Sequence, residues 1–266
     1  MGAPVGLRDS IFPCVLIPLG FLNACTWNLF PQQPLTCESL AFFVDFCFSQ
    51  VLKALDSFYS NDEQPHKNVL KLLGCCLEIP IPALVHEYAI EGVLNDQGGL
   101  RTTENQSSLP WKTRLRIAIQ LASAIRYLHT AFPRPIIHRD LKPSSIFLDH
   151  DYAPKLSNFE LSITIPPMKS HADDEGQKAV DAYEAGEYQS SIAYVKASDI
   201  EQIQTIADPK ILGEVGGDEQ ARRHLHDFLA LALLCTQEES EVRPDMMDVA
   251  KELLRIETSI ISKYSL

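Results

Sequence analysis

The chain has 266 residues, 45% of them apolar, and a formal net charge of −12; this is enough for one medium domain or two small lobes around a real core, and it excludes a fibrous or wholly disordered protein. The acidic balance excludes a nucleic-acid surface, which needs clustered Lys and Arg to displace phosphate counterions, and points to protein partners. Seven Cys without C-x-x-C spacing read as buried thiols of a reducing compartment, not as a redox or zinc site.

Taken from the amino terminus, Arg8 and the apolar run Ile11–Leu22 imitate a signal peptide, but Pro13 and Pro18 interrupt a run too short to span a bilayer. Gly2 invites myristoylation, yet Gly6 stands where that motif needs Ser or Thr. Residues 1–60 therefore read as an irregular leader, and the expected location is the cytoplasm, with a peripheral place at the plasma membrane left open. Only Gly2, Gly6 and Gly20 precede residue 74, and the first Lys is Lys53, on the surface of a predicted helix over Phe46–Phe58.

After Pro65 the pattern sharpens. HKNVLKLLGCCLE (66–78) predicts a strand and tight turn, with the vicinal Cys75 and Cys76 on opposite sides of the strand. Ala83–His86 predicts a second strand, leading through Glu87, Tyr88 and Ala89 to Gly92-Val93-Leu94. Between the strands, Ile79-Pro80-Ile81-Pro82 is an apolar, proline-stiffened turn that either contacts a partner or packs on the chain itself. Asn95–Ser108, rich in Gly, Asn, Gln and Thr, reads as a surface loop. Pro110-Trp111 opens the strongest helix: Leu115, Ala118, Ala122, Ile125 and Leu128 recur at helical spacing, Arg114, Arg116, Gln120 and Arg126 occupy other faces, and Phe132-Pro133 ends it.

The stretch IIHRDLKPSSIFLDHDYAPKLSNFE (136–160) organises the rest. Ile136-Ile137 and Ile146-Phe147-Leu148 predict short buried strands framing a polar loop that contains His138, Arg139, Asp140, Lys142 and Ser145; Asn158-Phe159-Glu160 follows. Ile165–Thr205 is acidic and rich in small residues, which predicts an exposed helix or loop. His224 and His226, the only close His pair, lack a Cys or carboxylate at ligand spacing and read as helix surface.

HRDLKPSS resembles the protein-kinase catalytic loop H-R-D-x-K-x-x-N, and Asn158-Phe159-Glu160 falls where kinases carry D-F-G. The resemblance implies Asp140 and Lys142 as catalytic positions, Glu87, Tyr88 and Ala89 as the nucleotide-binding hinge, and Ser145 and Asn158 as the two metal-binding positions. Ser145 replaces an Asn and Asn158 replaces an Asp, so both ligands of a cation that prefers hard, charged oxygens are weakened, and Glu160 does not replace them from the position of a flexible Gly. The G-x-G-x-x-G loop that covers phosphates and the strand Lys that anchors them are missing as well. With four losses, Asp140 and Lys142 are expected to be vestigial and no cofactor is expected; ATP and Mg²⁺ enter only under residual kinase activity.

HKNVLKLLGCCLE, the Glu87-Tyr88 hinge with Gly92-Val93-Leu94, LPWKTRLRIA, YLHTAFPRPIIHRDLKP, and KLS before Asn158 carry a closer resemblance, over 66–165, to plant receptor-like cytoplasmic kinases near the wall-associated kinases, and to their ZED-related pseudokinase branch. It resumes over 206–257 with IADPKIL and FLALALLCTQEESEVRPDMMDVAKELL. The implied fold is α+β, a protein-kinase-like two-lobe fold: a degenerate N-lobe that starts within residues 1–60, with its strands and hinge over 61–94, and an abbreviated, mainly helical C-lobe over 95–266 without the A-P-E segment or the central helix. Arg243 normally pairs with the A-P-E Glu, so a C-lobe of reduced stability is expected unless another acid replaces it. The implied role is an inactive adaptor or decoy in plant immune signalling that binds a coiled-coil, leucine-rich-repeat immune receptor and senses pathogen effectors. Two alternatives stay open: a residual Ser/Thr kinase using Asp140 and Lys142, and a poorly folded degenerate product, which a cooperative thermal transition excludes.

Overall fold

The computed structural model describes residues 66–76, 83–95, 98–101, 106–159, 162–165, 207–237 and 242–261. The leader, the Phe46–Phe58 helix with Lys53, the Ile79–Pro82 turn, Glu160 and all of Ile165–Thr205 beyond Ile165 lie outside them.

The core is built on helix α1 (Trp111–Thr130), whose apolar residues recur every three or four positions and so form one stripe. Leu115, Ala118, Leu121, Ala122, Ile125 and Leu128 are all buried. The helix ends where Ala131 donates its N–H to the Tyr127 carbonyl. Among the described residues three further helices follow: α2 (Pro209–Val215), α3 (Glu219–Cys235) and α4 (Met246–Ile261). Asp208 caps α2 by accepting from the Lys210 N–H, and Asp218 caps α3 by accepting from the Gln220 N–H. α4 packs on both α1 and α3, bringing Val249, Leu253 and Ile256 into one core with Leu225, Phe228, Leu229 and Ala232. Trp111 meets Phe228 edge-on at 5.1 Å. Each side chain of this size, fully buried, contributes about 1.5–3 kcal/mol.

The strands are β1 (Leu72–Cys76), β2 (Ala83–His86), β3 (Gly92–Leu94), β4 (Gly99–Arg101), β5 (Gln106–Ser108), β6 (Ile136–Ile137), β7 (Ile146–Asp149), β8 (Ala153–Leu156) and β9 (Ile163–Thr164). They form an antiparallel β1–β2 hairpin, a five-stranded sheet in the order β5-β4-β3-β7-β8, and a β6–β9 pair. The predicted strands around Ile136-Ile137 and Ile146–Leu148 are present.

Four readings need correction. Residues 66–71 are a turn and bridge, and the strand begins only at Leu72: the Val69 N–H closes on the His66 carbonyl at 2.8 Å, and Val69 then bridges Leu156 in parallel. Asn95–Ser108 contains β4 and β5, because Asn95 closes the turn with its side chain, accepting from the Gly99 N–H at 2.9 Å and donating to the Leu100 carbonyl at 3.2 Å, while Leu100 enters the core. Arg114 is fully buried, and Gln120 is half-buried and accepts a hydrogen bond from Asn68. His224 lies on the buried face of α3 four residues before Phe228, with its Nε2 2.8 Å from Ser259 Oγ; His226 alone is exposed.

Arg243 is also held, its Nε donating to the Gln237 carbonyl at 2.6 Å. Among the described residues, Arg114 and Asp208 form an ion pair at 2.5 Å that joins distant parts of the helical region.

Candidate functional site

Strand β6 delivers the chain to a loop whose backbone is set by side chains. Arg139 has φ 69°, a left-handed turn directly before Asp140. His138 is buried beneath this turn. The Asp140 N–H donates to His138 Nδ1 at 3.2 Å, and His138 Nε2 lies 2.7 Å from the Ser157 carbonyl. Because an amide N–H can only donate, Nδ1 is the acceptor, and the ring is a neutral imidazole with its proton on Nε2, directed at Ser157. Burial pushes the His138 pKa down to about 4. Phe159 closes the other side, edge-on to His138 at 4.8 Å.

Asp140 Oδ2 forms an ion pair with Lys142 Nζ at 3.0 Å. Ser145 closes a short 3₁₀ turn, Pro143–Ser145, and is completely buried. Its hydroxyl donates to the Asp140 carbonyl at 2.7 Å, while its own carbonyl accepts from the Ser157 N–H at 2.9 Å and the Ser157 hydroxyl at 3.0 Å. The same Ser157 hydroxyl lies 3.3 Å from Asn158 Oδ1. Asn158 has φ 61°, in the left-handed region that Asn tolerates better than most residues.

The structure thus brings Asp140, Lys142 and Ser145 together and connects them to Asn158 through Ser157. Sequence reasoning missed Ser157 as the link; its place in KLS before Asn158 was the available signal. Removing the Ser145 hydroxyl leaves the Asp140 carbonyl without this donor, so Ser145→Ala is expected to lower stability by about 1–3 kcal/mol in urea denaturation.

The hinge residues divide differently. Glu87 Oε1 accepts from Lys155 Nζ at 2.8 Å and from the Lys71 N–H at 3.0 Å. Partial burial works against its charge, but these two donors hold the carboxyl below its usual range. Tyr88 is 83% exposed and Ala89 is buried.

A divalent cation such as Mg²⁺ takes charged oxygens in an open arrangement. Here the Ser145 hydroxyl is buried and already donating, Asn158 offers a neutral amide oxygen, and the Asp140 carboxylate is engaged by Lys142. Among the described residues no group of three or more His, Cys, Asp or Glu could hold a metal ion. The described donor set is a poor match for Mg²⁺. Among the same residues, no helix is long and apolar enough to cross a membrane.

Comparison with known proteins places this geometry. A family model described as protein tyrosine and serine/threonine kinase matches residues 51–201, more than half of the chain. In Arabidopsis thaliana, serine/threonine-protein kinase ZRK1 is 34% identical over 73% of this chain and 66% of its own length. Non-functional pseudokinase ZED1 is 34% identical over 76% of this chain and 72% of its own length. Putative wall-associated receptor kinase-like 16 is 33% identical over 73% of this chain and 52% of its own length. The chain spans about two thirds of the length of ZRK1, and relatives named as kinases stand beside relatives named as non-functional. Matched motif, mixed α+β architecture and relatives agree: the chain belongs to the protein kinase family.

Proposed function

We propose that this chain is a kinase-shaped protein-binding module that does not transfer phosphate, acting as an adaptor or decoy in plant immune signalling. One observation carries the reading: at the two metal positions, Ser145 is buried with its hydroxyl on the Asp140 carbonyl, and Asn158 is neutral. Phosphoryl transfer is mostly positioning and charge stabilisation, and a loop without cation ligands supplies little of the second. The relatives ZRK2 and ZED1, both named non-functional pseudokinases, support it. Its partners are a coiled-coil, leucine-rich-repeat immune receptor and the pathogen effectors it senses, and its place is the cytoplasm. Co-purification from plant tissue tests the partner: recovery of a receptor of this class supports the adaptor role, and its consistent absence removes it.

A residual Ser/Thr kinase is the second reading, favoured by the retained Asp140 and Lys142 and by the relative ZRK1, named a serine/threonine-protein kinase. Wild type and the triple variant Ser145→Asn, Asn158→Asp, Glu160→Gly are compared with Mg-ATP and a generic peptide, and autophosphorylation is read by mass spectrometry. The expected result is no Asp140-dependent phosphate incorporation in either protein. Incorporation by wild type, abolished in Asp140→Asn, makes the second reading the correct one. Incorporation by the repaired variant alone shows that the amino-terminal residues hold ATP.

A further inference from the structure

Helix α4 carries two apolar stripes. One faces inward, where Val249, Leu253 and Ile256 are completely buried in the core shared with α1 and α3. The other faces out: Met247 is 37% and Leu254 48% exposed, and Ile261 follows seven residues later at the last position of the helix. A single exposed leucine on a protein surface is ordinary. Apolar residues recurring every seven positions on an outward helix face have the spacing by which one helix packs along another.

The charges beside this stripe are placed symmetrically. Lys251 stands three residues before Leu254 and Glu257 three residues after it, each about 4.5 Å away along the helix axis and on a flank of the same face. Lys251 pairs with Asp248 on its own helix at 3.0 Å, with both side chains mostly exposed; such a pair contributes at most about 1 kcal/mol and is readily exchanged for another. Four residues to either side of Leu254 stand the smaller Ala250 and Thr258. Arg126 of α1 borders the stripe at its start, its Nη1 3.5 Å from Met247 Sδ.

We propose that this face pairs two copies of the chain, α4 of one running antiparallel to α4 of the other about a two-fold axis at Leu254. Each residue then faces the one equally far on the other side of Leu254 in the second copy. Leu254 meets Leu254, Met247 meets Ile261 at both ends, and Lys251 meets Glu257 twice, once on each side of the axis. Ala250 opposite Thr258 lets the helices approach closely. The occupant is a second copy because the pattern is complementary to itself, as a two-fold interface requires; a parallel pairing would set Lys251 against Lys251 and Glu257 against Glu257. A seam of about four helical turns lies at the small end of specific interfaces, below roughly 1,200 Å² in total, so the dimer is a weak, exchanging one. It uses none of the residues of the polar loop and stands whether or not the chain transfers phosphate.

The test is sedimentation velocity of the whole chain over a roughly hundredfold range of concentration. Wild type is expected to pass reversibly from monomer to dimer as concentration rises. Leu254→Glu places two carboxylates at the axis and is expected to weaken association about a hundredfold or more, while its urea midpoint stays close to that of wild type because Leu254 lies outside the core. Lys251→Glu and Glu257→Lys each set like charges opposite one another twice, and each is expected to weaken the dimer about tenfold. The double exchange of Lys251→Glu with Glu257→Lys restores the pairing and is expected to return the dimer to near wild-type strength. Arg255→Gln, which breaks the pair with Asp227 on the α3 side of α4, is expected to leave association unchanged. A chain that stays monomeric throughout overturns the proposal, and the face then belongs to a partner other than this chain or to none. Association that survives Leu254→Glu places the dimer elsewhere on the chain, and a double exchange no stronger than the single ones removes the antiparallel register; either result overturns it as well.

Discussion

Replacing Arg114 with Ala is expected to lower the unfolding free energy by about 3–5 kcal/mol, the range for breaking one side of a buried ion pair. Arg114 sits in the first turn of α1 with no exposed surface. Its Nε donates to the Leu109 carbonyl at 2.8 Å, and one terminal nitrogen reaches both Ser108 Oγ at 2.7 Å and Asp208 Oδ2 at 2.5 Å. Burial lowers the guanidinium pKa and Asp208 works to raise it, and a guanidinium is not deprotonated in a protein, so the group stays a cation. Truncation therefore leaves the Leu109 carbonyl without this donor and Asp208 without its counter-charge. Asp208→Asn is gentler, about 1–3 kcal/mol, because its one amide oxygen still serves either the α2 cap that Oδ1 makes or the Arg114 bond that Oδ2 makes, though not both. Arg114→Lys falls between them, since an ammonium cannot reproduce the fork to three acceptors. Urea denaturation followed by circular dichroism gives the order directly. An Arg114→Ala protein within 1 kcal/mol of wild type would show that the junction of α1 and α2 does not depend on this ion pair.

That prediction falls where the sequence was least legible. The stripe of α1, the short strands at Ile136 and Ile146, and the loop between them could be read because periodicity and turn residues are local signals. Arg114 could not, because a polar residue between apolar ones reads as surface, and the acid that makes its burial tolerable lies 94 positions away. His224 escaped for the same reason: it shares a face with Phe228, but its partner Ser259 comes from another helix. In Asn95–Ser108 the composition of a loop concealed a hairpin, since Asn95 supplies with its side chain the hydrogen bonds that a shorter turn would make with backbone. At the polar loop, the identities of Ser145 and Asn158 were legible as departures from a motif. Sequence could not tell that the Ser145 hydroxyl points inward to the Asp140 carbonyl, or that Ser157 ties the two halves together, because hydroxyl direction is decided by packing. Lys155 and Glu87, 68 residues apart, carried no sign of each other.

Acidification is expected to unfold the protein through its buried imidazoles. His138 is held near pKa 4 by burial beneath the loop, and His129 near the same value by burial in the last turn of α1, where Asp245 only partly offsets the desolvation. Both start from an ordinary value of 6.5. Between those two values the unfolded chain takes up protons that the folded protein refuses, so stability is present above pH 6.5 and is lost as pH falls toward 4. From pH 7 to 4.5 the loss is about 2 kcal/mol or a little more for each ring, on the order of 5 kcal/mol for the two. The rings differ in what they give the fold at neutral pH. His138 bonds the Asp140 N–H and the Ser157 carbonyl, so replacing it damages the loop. His129 has its Nε2 buried without a hydrogen-bond partner among the described residues, and an apolar side chain of similar volume removes both the titration and that nitrogen. His129→Leu is therefore expected to match or exceed wild-type stability at pH 7 and to lose about half as much by pH 4.5, in urea titrations repeated across the range. An acid limb of unchanged depth in His129→Leu would leave His129 without a part in the loss.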